Sequence, residues 1–120
     1  MMYIYAYGTI NFQETLSPEQ IAELKERLNL RGEVLVQSEG CTVSLTGSRD
    51  ENGYDGYKPI IDDLEFLAKI SPIESGEIYA GRPDETTNMC SPYRYVWRDE
   101  KWVRQELRVE VIYLDVKEEP

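Results

Sequence analysis

Aromatic residues alternate strictly in two stretches of this chain, and that alternation constrains its fold more than any other feature. Tyr3, Tyr5 and Tyr7 occupy every second position of one stretch, and Tyr93, Tyr95 and Trp97 do the same in another. Side chains two apart on a β-strand project to the same face. Each triplet is therefore a row of rings on one side of a sheet. Such a face is either half of a core or an exposed binding surface, and that choice governs the functional reading.

The rest of the pattern predicts the elements around these rows. Residues 2–12 read as a strand, with Ile4, Ala6, Gly8 and Ile10 opposite the tyrosines. Ser17 as N-cap, Pro18 at the first helical position and Gln20 at capping-box spacing predict a helix over 18–29, with Ile21, Leu24 and Leu28 as its apolar stripe. Residues 33–38 and 41–46 read as two strands turning at Glu39-Gly40. Cys41, Val43 and Leu45 then share a face, which makes Cys41 a small buried hydrophobe. The segment 47–57, rich in glycine and acid, reads as an exposed loop.

A second helix is expected over 58–70, burying Ile60, Ile61, Leu64, Leu67 and Ala68 and turning Asp62, Asp63 and Glu65 to water. A strand over 76–81, a polar loop over 82–92 and a hairpin of 93–98 with 101–115 follow, turning at Asp99-Glu100. Residues 1–116 then form a single domain with a frayed tail at 117–120. The order β-α-β-β-α-β-β predicts a two-layer α+β fold. It is ferredoxin-like, a split βαβ plan with one added strand, its antiparallel sheet covered by two helices on one face and open on the other.

The last hairpin bears on which face is open. In residues 101–115, Leu107, Val109, Val111 and Tyr113 share one face and Arg104, Glu106, Arg108 and Glu110 the other, so the first row reads as the core side. A two-residue turn pairs Trp97 with Trp102 and Val96 with Val103. Val103 has the parity of Leu107, which turns the valines toward the helices. Tyr3, Tyr5, Tyr7, Tyr79, Tyr93, Tyr95, Trp97 and Trp102 are then expected together on the open face beside Arg104. A contiguous patch of that kind marks an interaction surface. A bulge or a three-residue turn would reverse the parity and place the rings beneath the helices.

Charge and composition limit the chemistry. With 13 basic and 23 acidic residues the formal net charge is −10, a balance that repels phosphate backbones and suits docking on a basic protein surface. No stretch has the apolar length of a membrane span, and the N-terminus lacks the basic and apolar regions of a signal peptide. Two cysteines are too few for a disulfide framework, and a cytoplasmic setting with free thiols is expected.

The chain contains no histidine, which removes Ser-His-Asp and Cys-His catalysis and the usual zinc ligands. No Gly-rich phosphate loop is present. Counted from Asp50 as a calcium loop, Asp55 stands where glycine belongs and Ile61 where glutamate belongs. Cys90 has no histidine or clear cation beside it in the sequence to activate it. The expectation is therefore no catalytic residue, no metal and no cofactor. An open aromatic sheet face resembles that of RNA-recognition domains in architecture, but their basic-aromatic strand motif is absent here.

The run Tyr93-Arg94-Tyr95-Val96-Trp97-Arg98-Asp99-Glu100-Lys101-Trp102-Val103 resembles the C-terminal hairpin of small phage-associated α+β proteins of unknown function, in which an aromatic-Arg strand turns through an acidic pair into Lys-aromatic-Val. The resemblance implies a small accessory protein, of the kind that inhibits bacterial defence systems.

The functional expectation is a non-enzymatic, acidic protein-binding protein, an inhibitor of the anti-CRISPR or wider anti-defence type. The aromatic face with Arg104 would make the contact, since Tyr, Trp and Arg dominate binding hot spots. The acids Asp50, Glu51, Asp55, Asp84 and Glu85 would steer it onto a basic partner. Three alternatives stay open. The same face also reads as a homodimer seam, as a site stacking on a small ligand or nucleotide, or as the contact of a toxin-neutralising immunity protein.

Overall fold

The computed structural model describes residues 3–30, 32–50, 58–84, 88–106 and 112–117, with the backbone alone at Tyr3, Asp50, 82–84 and 88–92. The elements are β1 (Tyr3–Phe12), α1 (Pro18–Leu28), β2 (Gly32–Glu39), β3 (Thr42–Asp50), α2 (Lys58–Ile70), β4 (Ile73–Asp84), β5 (Asn88–Arg98) and β6 (Lys101–Glu106). The strands form one antiparallel sheet in the order β2-β3-β1-β4-β5-β6. Three strands follow α2, matching the strand at 76–81 and the hairpin of 93–98 with 101–115, one more than the order β-α-β-β-α-β-β counts.

Local chemistry explains the helices. Ser17 accepts from the Gln20 amide at 3.1 Å while the Gln20 side chain accepts from the Ser17 amide at 2.9 Å, closing the expected capping box. The Gln20 amide group also donates to the Ile70 carbonyl at 2.9 Å, so one residue serves the start of α1 and the end of α2. At the far end of α1, Asn29 donates to the Lys25 and Val34 carbonyls and accepts from the Val34 amide, tying the helix exit to β2.

Both helices lie on the face of the sheet that carries Ile4, Ile10, Val36, Val43, Leu45, Ile78 and Ala80. These residues form one core with Leu24 and Leu28 of α1 and Ile60, Leu64 and Leu67 of α2. The even positions of β1 are thus beneath the helices, as expected, and its odd positions face outward.

Two charged residues are also buried. Arg49 on β3 meets Asp63 on α2, with Nε 2.7 Å from Oδ2 and Nη2 donating to Oδ1 at 3.1 Å. Its Nη1 donates to the Leu28 carbonyl at 2.8 Å. The Nε contact is an ion pair rather than an aligned hydrogen bond. One guanidinium therefore joins β3, the end of α1 and the middle of α2. Burial pushes the Asp63 carboxyl up to about 6 against the pull of the Arg49 charge.

Several expectations are corrected. Asp63 does not face water: the spacing 60, 63, 64, 67 places it on the buried stripe. The segment from Gly47 to Asp50 is strand, extending β3 so that it pairs along β1 as far as Tyr3↔Asp50, and the remaining loop positions 51–57 lie outside the described residues. The turn between β2 and β3 is Gly40-Cys41, with Gly40 at φ +60° and Glu39 paired to Thr42. Cys41 consequently sits at the hairpin tip, exposed, while Val43 and Leu45 are buried.

The polar segment 82–92 is also largely strand. Arg82 pairs with Cys90 and Asp84 with Asn88, making β4 and β5 a long hairpin. The register shifts beside Ala80, where Ser91 and Pro92 stand against Gly81. Proline has no N–H for a ladder and is accommodated at such a bulge. Strand β6 is described over Lys101–Glu106 and does not reach 115. Residues 107–111 lie outside the described residues, and 112–117 belong to no strand or helix.

Candidate functional site

The ladders fix which side chains share the open face. Leu35, Thr46, Tyr7, Tyr79, Arg94 and Gln105 are successive partners across all six strands. Glu33, Ser48 and Tyr5 form the neighbouring row on one side, and Gln37, Ser44, Thr9, Glu77, Val96 and Val103 the row on the other. Tyr5 and Tyr7 are 50% and 56% exposed, and Leu35 is exposed beside them. A polar row at the far end links Thr42, Asn11 and Ser75 by hydrogen bonds.

Tyr7 and Tyr79 stack with centroids 5.2 Å apart and planes at 18°. Tyr79 donates its hydroxyl to Glu77 Oε1, which also accepts from Arg94 Nε at 2.7 Å. Arg94 Nη1 donates to Gln105 at 3.0 Å. The tyrosine ring is thus held by a chain of polar contacts crossing β4, β5 and β6. The Arg94 hydrogen bond holds Glu77 below the usual carboxylate range, and the Glu77 carboxylate in turn raises the Tyr79 phenol. The Arg94 guanidinium is likewise raised by Glu77. At neutral pH this is a neutral phenol against a paired, ionised Glu–Arg couple.

The aromatic set expected on this face divides in two. Tyr5, Tyr7 and Tyr79 are on it, and the Tyr3 side chain lies outside the described residues. Tyr93, Tyr95, Trp97, Trp102 and Arg104 are on the opposite, helix side, which corrects the expectation. The hairpin register was read properly: Trp97 pairs with Trp102 and Val96 with Val103. The face was not. Ile78 pairs with Tyr95 and Ala80 with Tyr93, so these tyrosines share the side of the buried β4 residues, and Tyr95 is only 3% exposed. Val96 and Val103 face outward. Leu107, Val109 and Val111, on which the opposite facing depends, lie outside the described residues, and Tyr113 is exposed outside any strand.

On the helix side the β5–β6 hairpin extends beyond α2 and leaves an open groove of about 460 Å³. Its aromatic wall is Tyr95, Trp97 and Trp102, and its helical wall includes Ile61, Leu64 and Ala68. Trp97 and Trp102 meet edge to face at 5.3 Å. Trp102 Nε1 donates to the Leu64 carbonyl at 2.9 Å, fixing the hairpin against the helix. Gly76 makes room for that ring, since a Cβ there would lie 2.8 Å from the Trp102 ring edge. Arg104 lies over the Tyr93 ring at 4.7 Å.

Of the expected acidic docking residues, Asp50 and Asp84 are placed by backbone only. Asp50 pairs with Tyr3, and Asp84 lies three positions past Gly81, the partner of Tyr5, so both stand at the sheet end nearest the tyrosines. Glu51, Asp55 and Glu85 lie outside the described residues, as does the Cys90 side chain. Among the described residues no group of three or more Cys, Asp or Glu is placed to hold a metal ion, and no helix is long and apolar enough to cross a membrane.

Comparison of the chain with protein-family models, curated proteins and solved structures finds no match.

Proposed function

We propose that this is a non-enzymatic binding protein whose docking surface is the open sheet face centred on Tyr5, Tyr7 and Tyr79. The observation that carries the reading is the stacked Tyr7–Tyr79 pair, which no element covers among the described residues and which Glu77, Arg94 and Gln105 hold in place. Rings fixed in this way contribute contact area at little entropic cost on binding, the property of aromatic hot spots.

The partner is a protein with a basic surface. The formal charge of −10 and the placement of Asp50 and Asp84 at the tyrosine end of the sheet support this choice. An inhibitor of the anti-defence type, covering the nucleic-acid channel of a nuclease, has the required chemistry. The ferredoxin-like plan is the finer fold reading: the strand order β2-β3-β1-β4 supports it for the first four strands, with β5 and β6 added at the β4 edge.

Affinity capture from the native host at low and high salt, read by mass spectrometry, tests the reading. One dominant basic protein, captured at low salt and lost with Tyr5→Ser/Tyr7→Ser, is expected. Recovery of no protein, or equal recovery by the folded variant, overturns it.

A further inference from the structure

Strand β2 is one edge of the sheet, and its backbone groups point alternately to β3 and to the outside. Asn29, at the exit of α1, shows which of them point out. Its Oδ1 accepts from the Val34 amide at 2.9 Å and its Nδ2 donates to the Val34 carbonyl at 3.1 Å. Val34 therefore turns its backbone groups away from β3, and Gly32, Val36 and Ser38 turn theirs the same way. Among the described residues no group takes the outward N–H and C=O of Val36 or Ser38. Such an edge templates pairing with another chain unless lysine, proline or a bulge guards it. Residues 32–39 contain neither lysine nor proline, the β2–β3 register runs without a shift, and Leu35 is 61% exposed in the middle of the strand.

We propose that Asn29 is a plug on this edge: its amide occupies Val34 where a second copy of the chain would pair, and removing it opens a two-fold β2–β2 seam centred on Leu35. In that antiparallel register Gly32 faces Ser38 of the second copy and Val34 faces its Val36, so outward groups meet outward groups. Leu35 meets Leu35 at the axis, and Glu33 stands opposite Gln37, so no like charges are opposed. The register centred on Val36 instead sets Glu33 against Glu39. Val34 enters the Leu35-centred ladder on both sides of the axis, and the plug interrupts it on both. Asn29 Nδ2 also donates to the Lys25 carbonyl at 2.8 Å, which anchors the plug to the helix rather than to the edge it covers. The seam leaves Tyr5, Tyr7 and Tyr79, on β1 and β4, uncovered, so it is independent of the docking function proposed above.

The test is sedimentation velocity of the full chain from about 1 to about 100 µM, for wild type and Asn29→Ala. Asn29 has φ −101°, so alanine adds no backbone strain there, and the residue's own amide keeps its bonds to the Arg27 and Lys25 carbonyls. Asn29→Gly, which also suits a helix exit, replaces it should the alanine variant fail to fold. Two second-site changes are combined with Asn29→Ala. Ser38→Pro removes an outward N–H without touching the β3 ladder, as an edge strand allows. Leu35→Lys sets two cations against each other at the axis. Hydrogen exchange of the Val36 and Ser38 amides reports whether the contact is this edge.

Asn29→Ala is expected to associate at least about tenfold more tightly than wild type, with slowed exchange at Val36 and Ser38 in the associated form. Both second-site changes are expected to restore the wild-type mass. A folded Asn29→Ala that keeps the wild-type mass across the range overturns the proposal and leaves Asn29 a helix cap only. Wild type that already pairs through Val36 and Ser38 overturns it as well, because the edge is then not plugged. Association that persists in both double variants, or that leaves Val36 and Ser38 exchanging freely, places the contact elsewhere and equally overturns it. Should the Ser38→Pro double variant fail to fold, Leu35→Lys decides.

Discussion

Tyr79 lies directly across the β1–β4 ladder from Tyr7, and their rings stack on the side of the sheet that neither helix covers. The same pairing that joins them also sets Glu77 two positions away on the same face, where it accepts from the Tyr79 hydroxyl and from Arg94. The proposed docking surface is therefore ordered within the fold itself.

An exposed cross-strand aromatic pair adds little to the fold. Tyr7→Ser is expected to lower unfolding stability by about 1 kcal/mol or less, the range for such pairs on a sheet surface. Urea denaturation checks this. A loss as large as that of a core truncation would show that Tyr7 is principally structural, and binding data on the variant would then be uninformative.

The Arg49–Asp63 pair is the opposite case, buried and joining three elements. Arg49→Met leaves the Asp63 carboxyl and the Leu28 carbonyl without their cationic partner, and is expected to cost ~3 kcal/mol or more. Arg49→Met/Asp63→Leu removes both charges and should recover most of that loss.

Asp63 also gives the fold a pH dependence of definite sign. Its folded value of about 6 lies above the ordinary 3.8, so the native chain holds a proton that the unfolded chain releases between them. The stability this group adds is present below the unfolded value and is lost as pH rises through about 6. The difference in pH profile between wild type and Asp63→Asn isolates that contribution. Carboxyl NMR of Arg49→Met should place the Asp63 midpoint higher still, because the opposing cation is gone.

Packing at the groove predicts a coupled pair. A Cβ at Gly76 would press on the Trp102 ring, so Gly76→Ala should cost ~1–3 kcal/mol. In a Trp102→Leu background the same substitution should cost clearly less, which a double-mutant cycle measures. Equal costs in the two backgrounds would show that the glycine serves its backbone rather than the indole.

The β5–β6 turn holds a local strain that can be relieved. Asp99 and Glu100 both take left-handed φ, 52° and 60°. Two-residue turns of this kind favour glycine at the second position. Glu100→Gly should raise stability by ~1 kcal/mol, the cost of the left-handed region for an ordinary residue. A fall in the thermal midpoint would contradict that.

Local signals carried much of the fold. Ser17, Pro18 and Gln20 located α1, the alternation of Ile4 to Ile10 oriented β1, and Asp99-Glu100 set the last turn and its pairing. The face of β5 was not legible, because it depends on the β4–β5 register. That register passes through a bulge at Ser91 and Pro92, inside a segment whose polarity reads as loop.

One signal at the core was available. Asp63 interrupts the apolar stripe of α2, and Arg49 has the parity of Val43 and Leu45 on β3. Two opposite charges, each at a core position of its own element, are natural partners. Reading 47–57 as a loop concealed Arg49. The open tyrosines were legible at Tyr5, Tyr7 and Tyr79, where no bulge intervenes between β1 and the pairing with Tyr79.

The measurement that bears most directly on the docking surface is calorimetric titration of the captured partner with wild type and with Tyr7→Ser/Tyr79→Ser. The account predicts that the folded double variant binds more than about tenfold more weakly, the loss expected when an aromatic hot spot is removed. Unchanged affinity in that variant would contradict it and move the contact off the open face.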